Sequence, residues 1–218
     1  MLPGYVKRYN RRVPSLVTAP TVEPVTLDEV KAYAKVDGTD DDSLLTLLIA
    51  TARRLAEQYT GRAFLTQTWL LTQDSFTSYA EDVPPAGVYL APSPTAISDL
   101  QTVHLPRQPV QSVESVKVTD PAGAQTIVPA ATYWLDPANA DLALRQGQSW
   151  PGNLRDAAAV AIMFKAGYGD TADKVPADIR QAVLMQTTAM YGNRMCTDIA
   201  PGVAAILDSY RTAEAFGF

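Results

Sequence analysis

Between residues 40 and 61 apolar side chains return every three or four positions, at Leu44, Leu45, Leu48, Ile49, Ala52, Leu55, Ala56 and Tyr59. That spacing predicts one amphipathic helix with a broad apolar stripe. Asp40, Asp41 and Asp42 put negative charge at its start, where free backbone N–H groups favour it, and Gly61 stands where a left-handed terminating residue belongs. Arg53, Arg54, Glu57 and Gln58 are expected on the wet face. Leu47 and Ala50 lie off the main stripe, so a second side of the helix is partly apolar. A helix that covers two sides is either deep in a core or shared with a neighbouring subunit.

Upstream, Thr26 followed by Glu29 fits a capping box and predicts a short helix over 27–36, with Leu27, Val30, Ala34 and Tyr33 facing inward. Residues 37–39, Asp-Gly-Thr, break it, so the two helices form a hairpin. Past Arg62 the period changes. Strands are predicted at 68–73, 88–90, within 97–105, at 110–119, 125–128, 132–135 and 141–145, with the last group spaced as an antiparallel meander. The run 157–164 holds only small and apolar residues and predicts a strand buried on both faces. Helical spacing returns at Ile179, Ala182, Val183, Gln186, Ala189 and Met190, after Pro176 and Asp178 in a first turn, with Leu184 and Tyr191 off the stripe. A last helix is predicted over 203–210.

Helices that flank a run of strands can close on each other only if the ends of that run lie together. The expected fold is therefore α+β: a small helical domain, made of a helical hairpin plus two C-terminal helices, interrupted by an inserted antiparallel β-rich domain. The expected divisions are an extended basic arm at 1–24, helical parts at 25–65 and 169–211, the β-rich insert at 66–168, and a tail at 212–218.

Composition narrows the class. The chain has 218 residues, 47% hydrophobic and 19% charged, as a globular protein has. The longest apolar run falls far short of the roughly 20 residues of a membrane helix, and no signal peptide or membrane contact is expected. Lys7, Arg8, Arg11 and Arg12 give the first twelve residues four cations and no acid, which leaves −9 on the rest of a chain whose total is −5. An acidic body argues against sequence-reading DNA binding; the basic arm is a candidate contact for DNA or an acidic partner. The one cysteine, Cys196, excludes an internal disulfide and argues against a thiolate zinc site.

No constellation for catalysis assembles. His104 is the only histidine, with no partner in the pattern. Counting a calcium loop from Asp37 puts Asp42 at the glycine position and Leu48 at the glutamate position, so that pattern fails. Gly167-Tyr168-Gly169 lacks the third glycine of a phosphate-binding turn. No enzyme, metal or cofactor is expected.

Spaced pieces of the chain resemble the head–tail connector, or adaptor, proteins of tailed bacteriophages and phage-derived gene transfer particles. They are residues 24–31 (PVTLDEVK), 40–45 (DDDSLL), 57–62 (EQYTGR), 67–69 (QTW), 109–116 (PVQSVESV), 133–136 (YWLD), 150–151 (WP), 164–169 (FKAGYG) and 175–182 (VPADIRQA). The resemblance spans about 20–211 and leaves the arm unmatched.

The resemblance implies a ring, usually of twelve copies, docked beneath the portal protein at the capsid–tail junction. Such a particle assembles in the host cytoplasm. The ring would carry the DNA channel on to a stopper or tail-completion protein, with DNA passing unread. It also implies a carboxy-terminal segment that reaches the portal, which makes Leu207, Tyr210, Arg211, Phe216 and Phe218 candidate portal contacts. Leu47, Ala50, Leu184 and Tyr191, the residues off the apolar stripes, are candidate contacts between copies. The competing reading is a monomeric β-domain that binds a ligand or glycan on a helical scaffold.

Overall fold

The computed structural model describes residues 10–76, 102–193, 195 and 198–212. The chain divides into two compact units. A helical unit comprises Thr18–Thr68, Pro106–Val110 and Ala166–Phe218; a β unit comprises Met1–Val17, Trp69–Leu105 and Gln111–Lys165.

The helical unit holds α1 (Leu27–Ala34), α2 (Asp42–Thr60), α3 (Ala177–Gly192) and α4 (Pro201–Leu207). Thr26 and Glu29 form the complete capping box: the Glu29 N–H donates to the Thr26 hydroxyl at 3.2 Å, and the Thr26 N–H donates to the Glu29 carboxylate at 2.7 Å. The Thr26 N–H, joined by the Thr26 hydroxyl, holds the Glu29 carboxyl below its ordinary range, with the Arg180 guanidinium adding to them. Arg180 ties α3 to the same corner, donating to Glu29 at 2.5 Å and to the Pro24 carbonyl at 3.0 Å. Helix α2 ends at Gly61 in the left-handed region, φ 71°. Its stripe buries Leu45, Ile49, Ala52 and Ala56 against Ile179, Ala182 and Val183 of α3, with Val30, Val203 and Leu207 closing the same core.

Two expectations for these helices are corrected. Arg53 and Glu57 are buried, not on the wet face, because the chain beyond Gly61 folds back over the end of α2. Tyr33 is exposed, because the short α1 turns only Val30 fully inward.

In the β unit five strands form one sheet in the order β1-β2-β8-β4-β5 and three form another in the order β3-β7-β6. The strands are β1 (Arg12–Thr18), β2 (Gln67–Gln73), β3 (Thr102–His104), β4 (Val110–Thr119), β5 (Gln125–Ile127), β6 (Tyr133–Asp136), β7 (Asp141–Leu144) and β8 (Val160–Ala166). Where registers are defined, β4–β5, β3–β7 and β6–β7 are all antiparallel. The expected single meander is split: a one-turn 3-10 helix at Ala130–Thr132, entered through Pro129, sends β6 and β7 to the second sheet. The run expected to be buried on both faces starts later, as β8, and its burial alternates along the strand. It is central in its sheet, but its second face is only half covered. The expected strand at 88–90 lies outside the described residues. Residues 12–18 of the expected arm form β1.

The helical unit contains the places where the chain leaves for the strands and comes back. Four backbone bonds stitch these segments together: Ala63 N–H to the Gln108 carbonyl (3.0 Å), Gly167 N–H to Pro109 (2.9 Å), Tyr168 N–H to Phe64 (3.2 Å) and Thr66 N–H to Gly169 (3.0 Å). Gly167 sits at φ 137°, and a Cβ there would lie 2.3 Å from the Leu65 carbonyl oxygen. Both the torsion and the space demand glycine. Gly167→Ala is expected to lower stability by about 3 kcal/mol or more, read by urea unfolding; a loss within experimental error would show that this backbone can part.

Candidate interaction surfaces

Glu57 is a buried carboxyl group with a raised pKa, and buried, shifted acids mark many active sites. Burial pushes its pKa up, opposed first by the Arg53 charge and then by bonds from Phe64 and Gln67. Its oxygens are fully engaged. One accepts from Arg53 Nη1 at 2.7 Å; the other accepts from the Phe64 N–H at 2.9 Å and from Gln67 Nε2 at 2.5 Å. Burial also works against the Arg53 charge, but bonds and charge from Glu23 and Glu57 outweigh it and hold the guanidinium protonated. Arg53 Nε reaches Glu23 at 2.7 Å. Both oxygens of this buried carboxylate are held by groups of its own chain. This cluster is a structural joint.

His104 pairs with Asp141, Nδ1 to Oδ1 at 2.8 Å, and its carbonyl accepts from the Arg12 guanidinium. Among the described residues no group of three or more His, Cys, Asp or Glu could hold a metal ion, and no helix is long and apolar enough to cross a membrane.

The candidate contact residues fall in different environments. Leu47 points outward from α2 and is 63% exposed; Ala50 is half-buried. Leu184 and Tyr191 pack partly on the helical core, and the Tyr191 hydroxyl donates to Asp41 at 2.6 Å. Leu207 is fully buried in that core, so as folded it is not a surface anchor: α4 turns its Val203–Leu207 face inward.

Tyr210 and Arg211 are half-buried beside the end of α2. Arg62 Nε donates to the Tyr210 carbonyl at 2.5 Å, the Arg211 guanidinium lies 4.8 Å over the Tyr59 ring, and the Thr212 N–H donates to the Thr60 carbonyl at 2.9 Å. Tyr59 donates to Asp208 at 2.6 Å, which raises the pKa of its phenol. The segment 208–212 is thus clamped along the C-terminal end of α2. Of the basic arm, Arg11 and Arg12 lie at the start of β1, with the Arg11 N–H donating to Asp74 at 3.1 Å. Lys7, Arg8, Cys196, Phe216 and Phe218 lie outside the described residues.

Sequence reasoning missed the Arg53–Glu57 pair and the Tyr59–Arg211 clamp. Arg53 and Glu57 are four apart, a recognisable ion-pair spacing. No local signal says that such a pair will be covered.

Residues 24–120 match the model of the phage gp6-like head-tail connector proteins. That stretch is similar to the head-tail connector family. Solved structures extend the likeness to nearly the whole chain. A chain in the neck of an empty gene transfer agent particle, computed with C6 symmetry, is 22% identical at a TM-score of 0.70, with 92% of this chain and 95% of that one covered. A chain of the native gene transfer agent virion is 24% identical at 0.67, with 91% and 95% covered. A chain of the native neck computed with C12 symmetry is likewise 24% identical at 0.67, with 92% and 95% covered. At this identity the likeness establishes a shared fold. No curated protein sequence matches the chain significantly.

In this fold Glu57 serves as the joint between α2 and the chain that follows. Glu57→Ala leaves the buried Arg53 with Glu23 as its acid partner and strands two donors, the Phe64 N–H and Gln67 Nε2; it is expected to cost about 3 kcal/mol in chemical unfolding. A loss under about 1 kcal/mol would mean that water reaches the site.

Proposed function

We propose that this chain is a structural head–tail connector. It assembles as a ring, twelve copies in the favoured count, beneath the portal at the capsid–tail junction of a phage or gene transfer particle. It continues the DNA channel towards a stopper or tail-completion protein. Its work is geometric, and it makes or breaks no bond.

The observation that most supports this reading is the whole-chain fold likeness to chains of particle necks computed with six- and twelve-fold symmetry. The family match over 24–120 points the same way. A closed ring of identical copies needs two different contact faces on each copy. Helix α2 suits this: one side buries Leu45, Ile49, Ala52 and Ala56 while Leu47 stays exposed on another. A net charge of −5 suits a conduit, since like charge limits sticking to phosphate.

Electron microscopy of the protein mixed with its portal tests the reading directly. A ring with a central hole seated on the portal is expected; a chain that stays monomeric and never joins a portal overturns it. Leu47→Asp is expected to weaken ring formation while changing monomer stability by no more than about 0.5 kcal/mol, because the side chain is exposed. A matching loss of melting temperature would make Leu47 a folding residue instead. Removing residues 213–218 leaves the Arg211–Tyr59 and Thr212–Thr60 contacts in place. It is expected to spare the fold yet weaken portal docking about tenfold or more in a sedimentation assay; unchanged docking refutes a portal role for the tail.

A further inference from the structure

Strand β1 is held firmly, yet none of its seven residues is buried. The Asn10 side chain donates to the Ser75 carbonyl at 2.9 Å and accepts from the Asp74 and Ser75 N–H groups at 3.0 and 3.1 Å. Ser15 Oγ donates to the Leu70 carbonyl at 3.3 Å, and Arg12 donates to the His104 carbonyl. Residue 10 beside 74–75 and residue 15 beside 70 mean that β1 runs antiparallel to β2. All seven residues of β1 are exposed, including Val13 at 42%, Leu16 at 46% and Val17 at 51%. By strand alternation Val13 and Val17 share one face and Leu16 lies on the other. Ordering such a strand costs conformational entropy that its apolar side chains, about half exposed, offset only in part.

Among the described residues β1 and β5 are the two edges of the five-stranded sheet. Ile127, on β5, is 63% exposed. Pro14 on β1 and the three-residue length of β5 oppose a long continued ladder, so contact at these edges runs through side chains. Residues 11–18 carry two cations and no acid, whereas residues 120–127 carry one acid and no cation. Two unlike, mildly complementary edges on opposite ends of one sheet are what a head-to-tail contact between identical copies requires.

We propose that in the ring the β1 strand of one copy docks, through Val13, Leu16 and Val17, against the β5 edge of the next copy around Ile127. The occupant is a second copy of this chain, and apolar residues on both faces of β1 mean that it wraps the strand. The proposal rests on the ring reading above.

Two measurements test it. In a full-length chain carrying Cys196→Ser, the pair Leu16→Cys and Ile127→Cys is oxidised after ring assembly on the portal. A ladder of covalent multimers is expected on a non-reducing gel, because a disulfide forms only where Cα atoms come within about 7 Å; either single cysteine stops at dimer. In the otherwise native chain, Leu16→Asp is expected to leave the monomer melting temperature unchanged and to weaken ring assembly about tenfold or more. Rings visible by microscopy but without the ladder, or undiminished assembly of Leu16→Asp, overturn the edge contact while the connector reading stands. Absence of any ring for the native chain overturns both.

Discussion

The carboxylate of Glu57 is the joint on which the helical unit turns. It sits near the end of α2, where the chain stops being a helix and starts towards the strands. Three donors from different segments converge on it: Arg53 one turn back, the Phe64 backbone and the Gln67 side chain. Burying a charge is costly unless it is paired and hydrogen-bonded on every side. The cluster meets that condition with the chain's own groups, and Arg53 is held in turn by Glu23. The angle at which the chain leaves α2 is thereby fixed by charge-assisted bonds, not by apolar contact, which is non-directional.

The same place gathers the other crossings. Arg107 donates to the Glu57 carbonyl at 3.0 Å, and the Gln108 and Pro109 carbonyls accept from Ala63 and Gly167. The returning backbone comes so near Leu65 that only a residue without a side chain fits at 167. Each helix pair in the core is held by ordinary apolar packing, and α1 adds its capping box and the Arg180 tie. What makes the unit one body, despite being drawn from three stretches of sequence, is this knot of backbone and carboxylate bonds.

Function, on this reading, is a matter of which faces remain uncovered. Leu47 on α2, the edge strand β1, Ile127 on β5 and the clamped segment 208–212 differ in chemistry, and none resembles a reaction centre. The shifted acid that would draw attention as a catalyst is locked by its own neighbours. His104 is paired with Asp141, and its carbonyl accepts from Arg12.

Local pattern alone determined much of this. The capping box at Thr26 and Glu29, the left-handed Gly61, the apolar stripes of α2 and α3 and most strand positions follow from short-range spacing, because helix and strand periods are properties of neighbouring residues. The α+β class and the connector resemblance were legible for the same reason. Tertiary structure decided the rest. Arg53 and Glu57 read as a solvated pair until residues 62–67 cover them, and Leu207 reads as a tail anchor until α4 folds against the core. Neither the split of the predicted meander into two sheets nor the exposure of β1 is written in any window of sequence. Burial depends on what arrives from far along the chain, and a local pattern does not contain that partner.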